Sequence, residues 1–444
     1  MGTVKREDYD KTSPESILEF ARRLSGKTLA QVVDISDVSE NLSNKGDLGS
    51  MVEKFYFGIQ PNSSSKQDFS DAGVELKTTG VKRMPDGGYQ AKERLVLTMI
   101  NYMELVGERW ETSSLMEKCH LMLILFYLYE PGFAVFHRRF VPAPILFEFP
   151  EDDLVQIQND WQFIKEKVES GKAHELSEGD TTYLGACRKG SGGPKEKLRP
   201  QPYSDVLAKA RAFSLKPSYV NMIIDGSAAE AGVLEVVENG GIEEATKVKF
   251  EPYLGMSVNE ISNMFNFHKN GKYNKGFYRG LVMRILGSAG NTVPELEKAD
   301  IVIKTVRVNN HWMPRESMSF PTFRYMDIVN EDWEQSAFFD MIERKFLFVV
   351  FREGTDRTLR LERVGYWNMP YHDREEARKV WEDTKRRVNT DARDLPKLTE
   401  NRVAHVRPHA RNKNDTWPTP QGTDLVKQCF WLNARYVSDV IRCI

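Results

Sequence analysis

Residues 68 to 77 read Asp68-Phe69-Ser70-Asp71-Ala72-Gly73-Val74-Glu75-Leu76-Lys77, which spaces an aspartate, a glutamate and a lysine as D…ExK. Val74 and Leu76 are apolar, whereas Glu75 and Lys77 are polar. That alternation is the pattern of a half-buried strand, in which positions two apart share a face, so Glu75 and Lys77 project together. Asp68 enters from the preceding turn or strand. Two carboxylates converging on one point suit a hard divalent cation. A lysine beside that cation can orient or deprotonate an attacking water, and the set suits metal-assisted hydrolysis of a phosphodiester. Charged residues make up 28% of the chain, so the triplet alone also fits an edge strand with a solvated charged face. Upstream, Met51, Val52 and Phe55 form an apolar stripe at helical spacing, and Glu53 lies on another face of that helix as a third carboxylate.

These residues need a scaffold of alternating strands and helices. Periodicity predicts helices near 28–34, 48–57 and 152–169; in the last, Leu154, Ile157, Trp161, Ile164 and Val168 share one face. Strands are predicted near 73–78, 94–100 and 120–127, and Trp161 and Trp333 are expected in the core. The fold class is α/β.

With 444 residues the chain is long for one core and comfortable for two domains. No apolar run approaches the length of a membrane span, and Met1-Gly2-Thr3-Val4-Lys5-Arg6-Glu7 has no apolar signal core. Cys119, Cys187, Cys429 and Cys443 show no CxxC spacing, which fits reduced thiols in a cytoplasm better than zinc. The net charge of −2 does not advertise nucleic-acid binding, but charge is local. From Arg188 to Lys216 the bases Arg188, Lys189, Lys195, Lys197, Arg199, Lys209, Arg211 and Lys216 face only Glu196 and Asp205. This stretch is either a solvated loop or a groove that closes over phosphates.

Several ordered blocks carry a family resemblance. Gln67-Asp68-Phe69 through Gly73-Val74-Glu75-Leu76-Lys77-Thr78, Lys45-Gly46 followed by Glu53, Trp110-Glu111-Thr112-Ser113 with Lys118, Asp160-Trp161, Glu178-Gly179, Tyr183-Leu184 and Arg211-Ala212-Phe213-Ser214-Leu215-Lys216 resemble the MutH nuclease family, within the PD-(D/E)xK superfamily. MutH itself is a single domain. At twice that length, and with the tail Ala404-His405-Val406-Arg407-Pro408-His409 and Phe430-Trp431-Leu432, the chain resembles the Sau-3A-type GATC-specific restriction endonucleases throughout.

The same domain is read twice. Thr28 and Ser257 both open capping-box helices. Asn44-Lys45-Gly46 recurs as Asn274-Lys275-Gly276, and Glu75-Leu76-Lys77-Thr78 as Val302-Ile303-Lys304-Thr305. Tyr102-Met103 through Trp110-Glu111 recurs as Tyr325-Met326 through Trp333-Glu334. Phe213, Leu215, Tyr219 and Val220 recur as Phe430, Leu432, Tyr436 and Val437. Five matches in one order argue for duplication. The expected division is a catalytic MutH-like domain over 1–225, a linker over 226–245 and a degenerate MutH-like domain over 246–444. In that second copy Glu75 becomes Val302, Asp68 becomes Glu295, and Glu53 falls near Met283 or Arg284, while Lys304 survives. Valine offers no lone pair to a metal, so the second copy is expected to bind DNA without cutting it.

The resemblance implies roles. Asp68, Glu75 and the Leu76 carbonyl hold Mg²⁺, with Glu53 as a further ligand. Lys77 positions the water, and Lys118 either assists it or is a surface lysine. Duplex DNA is cut at GATC, before the G. Arg211 sits where the family places a base reader, with Lys45, Gly46, Arg188, Lys189 and Arg199 on the DNA. In the second copy Lys275, Arg407 and Lys427 are the DNA-binding candidates. That copy would act as an effector that binds a second site and supplies the missing contacts, brings two chains together on DNA or relieves an inhibited arrangement. The rivals are a MutH-like mismatch-repair nickase and, in a different class, a non-catalytic DNA-binding regulator.

Overall fold

Ser13 starts the first described helix, α1 (Pro14–Arg22). Its hydroxyl accepts from Ser16 N at 3.3 Å, Pro14 occupies the first turn, where a missing N–H is harmless, and Ile17, Phe20 and Ala21 turn inward. The structure, a computed structural model, describes residues 9–33, 45–59, 66–190, 197–227, 234, 241–268, 275–288, 290 and 292–444, with the side chains of 45–47 and 275 outside the description. The chain divides into two compact units. One is Met1–His174 with Thr181–Ala231 and Glu297–Ala299; the other is Glu175–Asp180 with Gly232–Leu296 and Asp300–Ile444.

After α1 come α2 (Leu29–Val32) and α3 (Lys45–Met51), which runs into a π-helical turn over Val52–Phe57. Then follow β1 (Glu75–Arg83), β2 (Tyr89–Ala91), β3 (Leu95–Met99), α4 (Tyr102–Leu105), α5 (Ser114–Cys119), β4 (Leu121–Leu128), β5 (Ile145–Glu148) and α6 (Glu151–Glu169). The first unit ends with β6 (Leu184–Arg188), β7 (Arg199–Gln201), β8 (Ser204–Ala208), β9 (Arg211–Leu215) and α7 (Pro217–Asp225). One sheet has the order β2-β1-β4-β5, and β1 and β4 run parallel with Glu75 opposite Met122 and Lys77 opposite Ile124. β4 is buried from Met122 to Tyr127, as a central strand with covered faces must be. A second sheet is ordered β3-β9-β6, and β7 and β8 form a separate two-stranded ribbon. On α6, Ile157, Trp161, Ile164 and Val168 are buried, as the spacing predicts, and Leu154 is half-buried. The buried Asp160 carboxylate on the same helix accepts from Thr182 N at 2.8 Å, Tyr183 N at 2.6 Å and Leu184 N at 2.9 Å, which fixes the start of β6.

From residue 241 the chain runs α8 (Gly241–Phe250), α9 (Val258–Met264), α10 (Lys275–Ile285), α11 (Pro294–Lys298), β10 (Val302–Val308), β11 (Met318–Phe323), α12 (Tyr325–Ile328), α13 (Ala337–Ile342) and β12 (Phe346–Glu353). It closes with β13 (Leu359–Trp367), α14 (Tyr371–Thr390), β14 (Ala404–Pro408), β15 (Thr416–Pro418), β16 (Asp424–Val426), β17 (Gln428–Leu432) and α15 (Ala434–Cys443). The series repeats that of the first half. β10 and β12 are parallel, with Val302 opposite Phe346 and Lys304 opposite Phe348. The sheet β11-β17-β14 answers β3-β9-β6, and β15 with β16 answers the β7–β8 ribbon. Trp333 and Trp381 lie in the core of the second unit.

Two boundaries differ from the sequence expectation. β1 begins at Glu75 instead of 73, because Val74 pairs back onto Phe69 across a turn, and it runs on to Arg83. Of the stretch 226–245, residues 228–233 and 235–240 lie outside the described residues, and Gly241 already begins α8. Among the described residues no helix is long and apolar enough to cross a membrane.

Candidate active site

The turn before β1 sets the site. Phe69 and Val74 exchange backbone hydrogen bonds, N to O at 3.0 and 3.2 Å, and Gly73 closes the turn at φ +67°, a conformation that L side chains rarely adopt. Asp68 is thereby folded against the strand. Leu76 N donates to Asp68 Oδ2 at 3.0 Å, and Asp68 N donates to Glu75 Oε2 at 3.3 Å. Glu75 and Lys77 share a face: Lys77 Nζ donates to Glu75 Oε1 at 2.7 Å and to the Leu97 carbonyl of β3 at 2.6 Å. Ser113 caps α5 by accepting from Met116 N at 3.3 Å, and that short helix brings Lys118 Nζ within 3.5 Å of the same Glu75 oxygen. Glu53 sits at the start of the π-helical turn, a distortion frequent at functional sites.

Charge and burial act against each other here. Glu75 is 3% exposed. Burial raises its carboxyl above the ordinary range, Lys77 and Lys118 pull it down, and Asp68 adds to the rise. Glu53 is pushed up to about 7 by burial and then by Asp68 and Glu75, so three carboxyl groups share a pocket that does not readily hold three negative charges. Burial pulls the Lys77 ammonium down, but Cys119, Glu75 and Asp68 outweigh it and the net direction is up. Burial itself pushes the Cys119 thiol up to about 12, which leaves it neutral near pH 7. The carboxylates are therefore the charges that hold Lys77 protonated.

The donors offered to a cation are the oxygens of Asp68, Glu75 and Glu53 and the Leu76 carbonyl, all hard. Among the described residues no three His, Cys, Asp or Glu side chains are already drawn together as a metal-holding group. The reason is visible at Glu75: Lys77 and Lys118 occupy its Oε1 as counter-charges.

The DNA-binding candidates fall into three sets. Lys45 and Gly46 begin α3 and Lys275 begins α10, but their side chains lie outside the described residues. Arg188 at the end of β6 and Lys189 beyond it are half-buried, and Arg199 on β7 is exposed. Arg211 faces Arg188 across the ladder but is 5% exposed, with Nη1 donated to the Ala186 carbonyl. As placed, it braces β9 against β6. In the second unit Arg407 is exposed with its guanidinium 3.8 Å from the Trp431 ring centroid, and Lys427 pairs with Asp415 and lies 4.3 Å from that of Trp417.

The place in the second unit that corresponds to the carboxylate site is different in kind. Val302 and Lys304 are half-buried on β10. Glu295, opposite Asp68 in the repeat, is 4% exposed and takes the Leu234 N–H instead of a β10 amide, and its Oε2 has no hydrogen-bond partner. Ser336 caps α13 as Ser113 caps α5, which puts Met341 where Lys118 stands. Beside Lys304 is a cavity of about 330 Å³ lined by Tyr278, Arg279, Arg307, Arg315 and Ser319 among others. The sequence reading missed those three arginines. They lie far apart along the chain, and no local periodicity groups them.

A family model described as "DNA mismatch repair enzyme MutH" matches residues 57–160, which include Asp68, Glu75, Lys77 and Lys118, and again 287–383, which include Val302 and Lys304. The chain is 31% identical to "Type II restriction enzyme Sau3AI" of Staphylococcus aureus, over 95% of this chain and 97% of that protein. It is 27% identical to "DNA mismatch repair protein MutH" of Shewanella baltica (strain OS185), over 47% of this chain and 93% of the relative. To the MutH of Escherichia coli O17:K52:H18 it is 28% identical, over 38% of this chain and 73% of the relative.

Proposed function

Because the chain belongs to the Sau3AI family of MutH-like nucleases and is a type II site-specific deoxyribonuclease, we propose that its first unit cleaves duplex DNA at GATC, before the G, in a Mg²⁺-dependent reaction. The observation that carries this is the convergence of Asp68, Glu75, Lys77 and Lys118, with Lys77 Nζ 2.7 Å and Lys118 Nζ 3.5 Å from one carboxylate oxygen.

The residues fit a hard cation by donor chemistry and by charge. The donors are all oxygens, and the rise at Glu53 marks a surplus of negative charge that a divalent cation would relieve. Asp68, Glu75 and the Leu76 carbonyl would hold it, with Glu53 next to them. When bound there, it supplies Lewis acidity to the scissile phosphate and to the attacking water. Lys77 orients that water from its seat on the Leu97 carbonyl and meets the negative charge that grows on the phosphoryl oxygens. Lys118 supplies a second positive charge from α5.

Arg188 lies opposite Arg211 at the end of β6, and a guanidinium from that edge of the sheet suits the O6/N7 pair of guanine. Arg188→Ala should cost roughly 1–3 kcal/mol of discrimination between GATC and a changed site. Equal losses on specific and random duplex would limit Arg188 to phosphate contact. For the second unit we propose a non-cutting effector that binds another GATC duplex and joins two chains on DNA. The loss of carboxylate at Val302 and of lysine at Met341, beside a cavity lined by Arg279, Arg307 and Arg315, supports it.

The test is digestion of unmethylated and adenine-methylated plasmid with Mg²⁺, followed by mapping of the ends. Double-strand breaks at GATC carrying 5′-phosphates are expected. Single-strand nicks that need added partner proteins would favour a MutH-like repair nickase. DNA binding with no cleavage in any divalent ion would favour a regulator.

A further inference from the structure

The β7–β8 ribbon stands outside both sheets of the first unit: its two strands pair only with each other, Arg199 opposite Ala208 and Gln201 opposite Ser204. It is apolar where it should be polar. Leu198 is 44% exposed, Tyr203 at the turn 78%, and Val206 and Leu207 on β8 each 51%. Exposed apolar side chains gathered on one small element mark a surface that something covers. The ribbon is also held in one shape. The buried Gln201 side chain accepts from Ala173 N at 2.7 Å and donates to the Val206 carbonyl. At Gly171 a Cβ would come within 2.8 Å of the Tyr203 carbonyl, so only glycine lets that segment lie against the turn.

The second unit offers a control within the chain. Its ribbon, β15 and β16, occupies the same place in the series, between β14 and β17, yet Trp417 and Leu425 pack against that unit's core. The ribbon architecture therefore does not require outward apolar residues; the first unit carries them in addition.

Charge selects the occupant. Lys172, Lys197 and Arg199 are exposed around the ribbon and Lys209 is half-exposed, while Asp205 lies on its strands and Glu196 precedes Lys197 in the sequence. Val206 and Leu207 are adjacent on β8 and face opposite sides of the ribbon, so cations flank apolar side chains on both faces, as suits an element inserted between the walls of a polyanion's groove. A two-stranded ribbon has the width that the DNA major groove admits, and the apolar group presented there is the thymine C5 methyl. The ribbon is also within reach of the reacting phosphate. Lys77 is seated on the Leu97 carbonyl of β3, β3 pairs with β9, and β8 leads directly into β9. From the β9 residues opposite Leu97 back to Ala208 is on the order of 15–20 Å at about 3.3 Å per residue, less than one duplex turn of roughly 34 Å.

We infer that the β7–β8 ribbon enters the major groove of the DNA held by the first unit, and that Tyr203, Val206 and Leu207 contact thymine methyl groups there while Lys197 and Arg199 hold the flanking phosphates. This rests on the duplex-cleaving role proposed above and adds a second recognition element, one that senses the methyl group of a pyrimidine.

The experiment compares one amplicon synthesised with thymidine and again with deoxyuridine, which removes only the C5 methyl. Initial cleavage rates are measured for the wild type and for the combined variant Tyr203→Ala, Val206→Ala, Leu207→Ala. The wild type should cut the uracil amplicon at least fivefold more slowly. In the variant the ratio should fall below twofold, with an unchanged thermal melt, since all three side chains are exposed. The same ratio taken from gel-retardation with the metal chelated reads the contact without cleavage. Equal wild-type rates and affinities on the two amplicons overturn the inference. So does a ratio that persists in the variant, and a variant that changes the oligomeric state while keeping the ratio makes the ribbon a surface between copies of this chain. Sequencing the cut ends of the thymine amplicon reports separately whether cleavage falls at GATC.

Discussion

Replacing Glu75 with glutamine removes one negative charge from the centre of the site while keeping its shape. Glu75 Oε1 is the counter-charge of Lys77 at 2.7 Å and of Lys118 at 3.5 Å, and its Oε2 accepts from Asp68 N. Loss of such a buried ion-pair partner ordinarily costs about 3–5 kcal/mol. Here two facts work against that cost. Lys77 keeps the Leu97 carbonyl at 2.6 Å, and the two lysine side chains retain 13% and 18% exposure to water. More telling is the carboxyl's own balance: burial outweighs the lysines and its pKa is raised. A raised folded-state value means that the folded protein holds the proton more tightly than the unfolded chain. The stability that this proton brings is present below the ordinary carboxyl range and is lost as pH rises through the raised folded value. Ionisation of Glu75 therefore costs stability, as residues kept for activity often do. Glu75→Gln should melt at or above the wild-type temperature at pH 7.5, and the difference should shrink below pH 5. Cleavage should fall by at least about 10²–10³-fold, the usual loss when one charge-stabilising group is removed from a site. DNA affinity without metal should hold or rise, because a negative charge near the phosphate is gone. Differential scanning calorimetry, single-turnover cleavage and gel retardation measure the three. A variant that cuts at the wild-type rate, or one that melts well below it, would refute the balance argued here.

Other outcomes follow from the same geometry. At pH 8 a thiol reagent should label Cys443 alone, because Cys119, Cys187 and Cys429 are buried and burial pushes Cys119 and Cys429 up to about 12; rapid labelling of a second thiol in folded protein, read by peptide mass, would contradict this. Asp160→Ala leaves three backbone N–H groups at the start of β6 without their carboxylate and should cost about 3 kcal/mol or more in urea unfolding; a loss under 1 kcal/mol would show that water replaces it. If the second unit is an effector, two-site DNA should be cut faster than one-site DNA, and a short GATC duplex in trans should stimulate the latter. Arg279→Ala with Arg307→Ala should erase that stimulation while leaving one-site cutting intact, and equal rates on both substrates would reduce the unit to a structural domain.

Much of the site was legible before folding because it is local. A strand's two-residue period puts Glu75 and Lys77 on one face, and a glycine at 73 marks the turn that returns Asp68 to them. The stripe Ile157, Trp161, Ile164 and Val168 needs only the helical period, and the repeat of Lys77 as Lys304 without Glu75 needs only comparison of the chain with itself. Tertiary structure decided what distance along the chain hides. Lys118 meets Glu75 because β1 and β4 pair in parallel, a contact that requires the whole crossover between them. The Leu97 carbonyl that seats Lys77 comes from the other sheet. Arg211 stands where the family resemblance places a base reader, yet it is 5% exposed and one of its nitrogens donates to the Ala186 carbonyl, since burial of a strand is set by the sheets around it and not by its own residues. The same holds for the ribbon: packing leaves Val206 and Leu207 in solvent in one unit and draws Trp417 and Leu425 inward in the other.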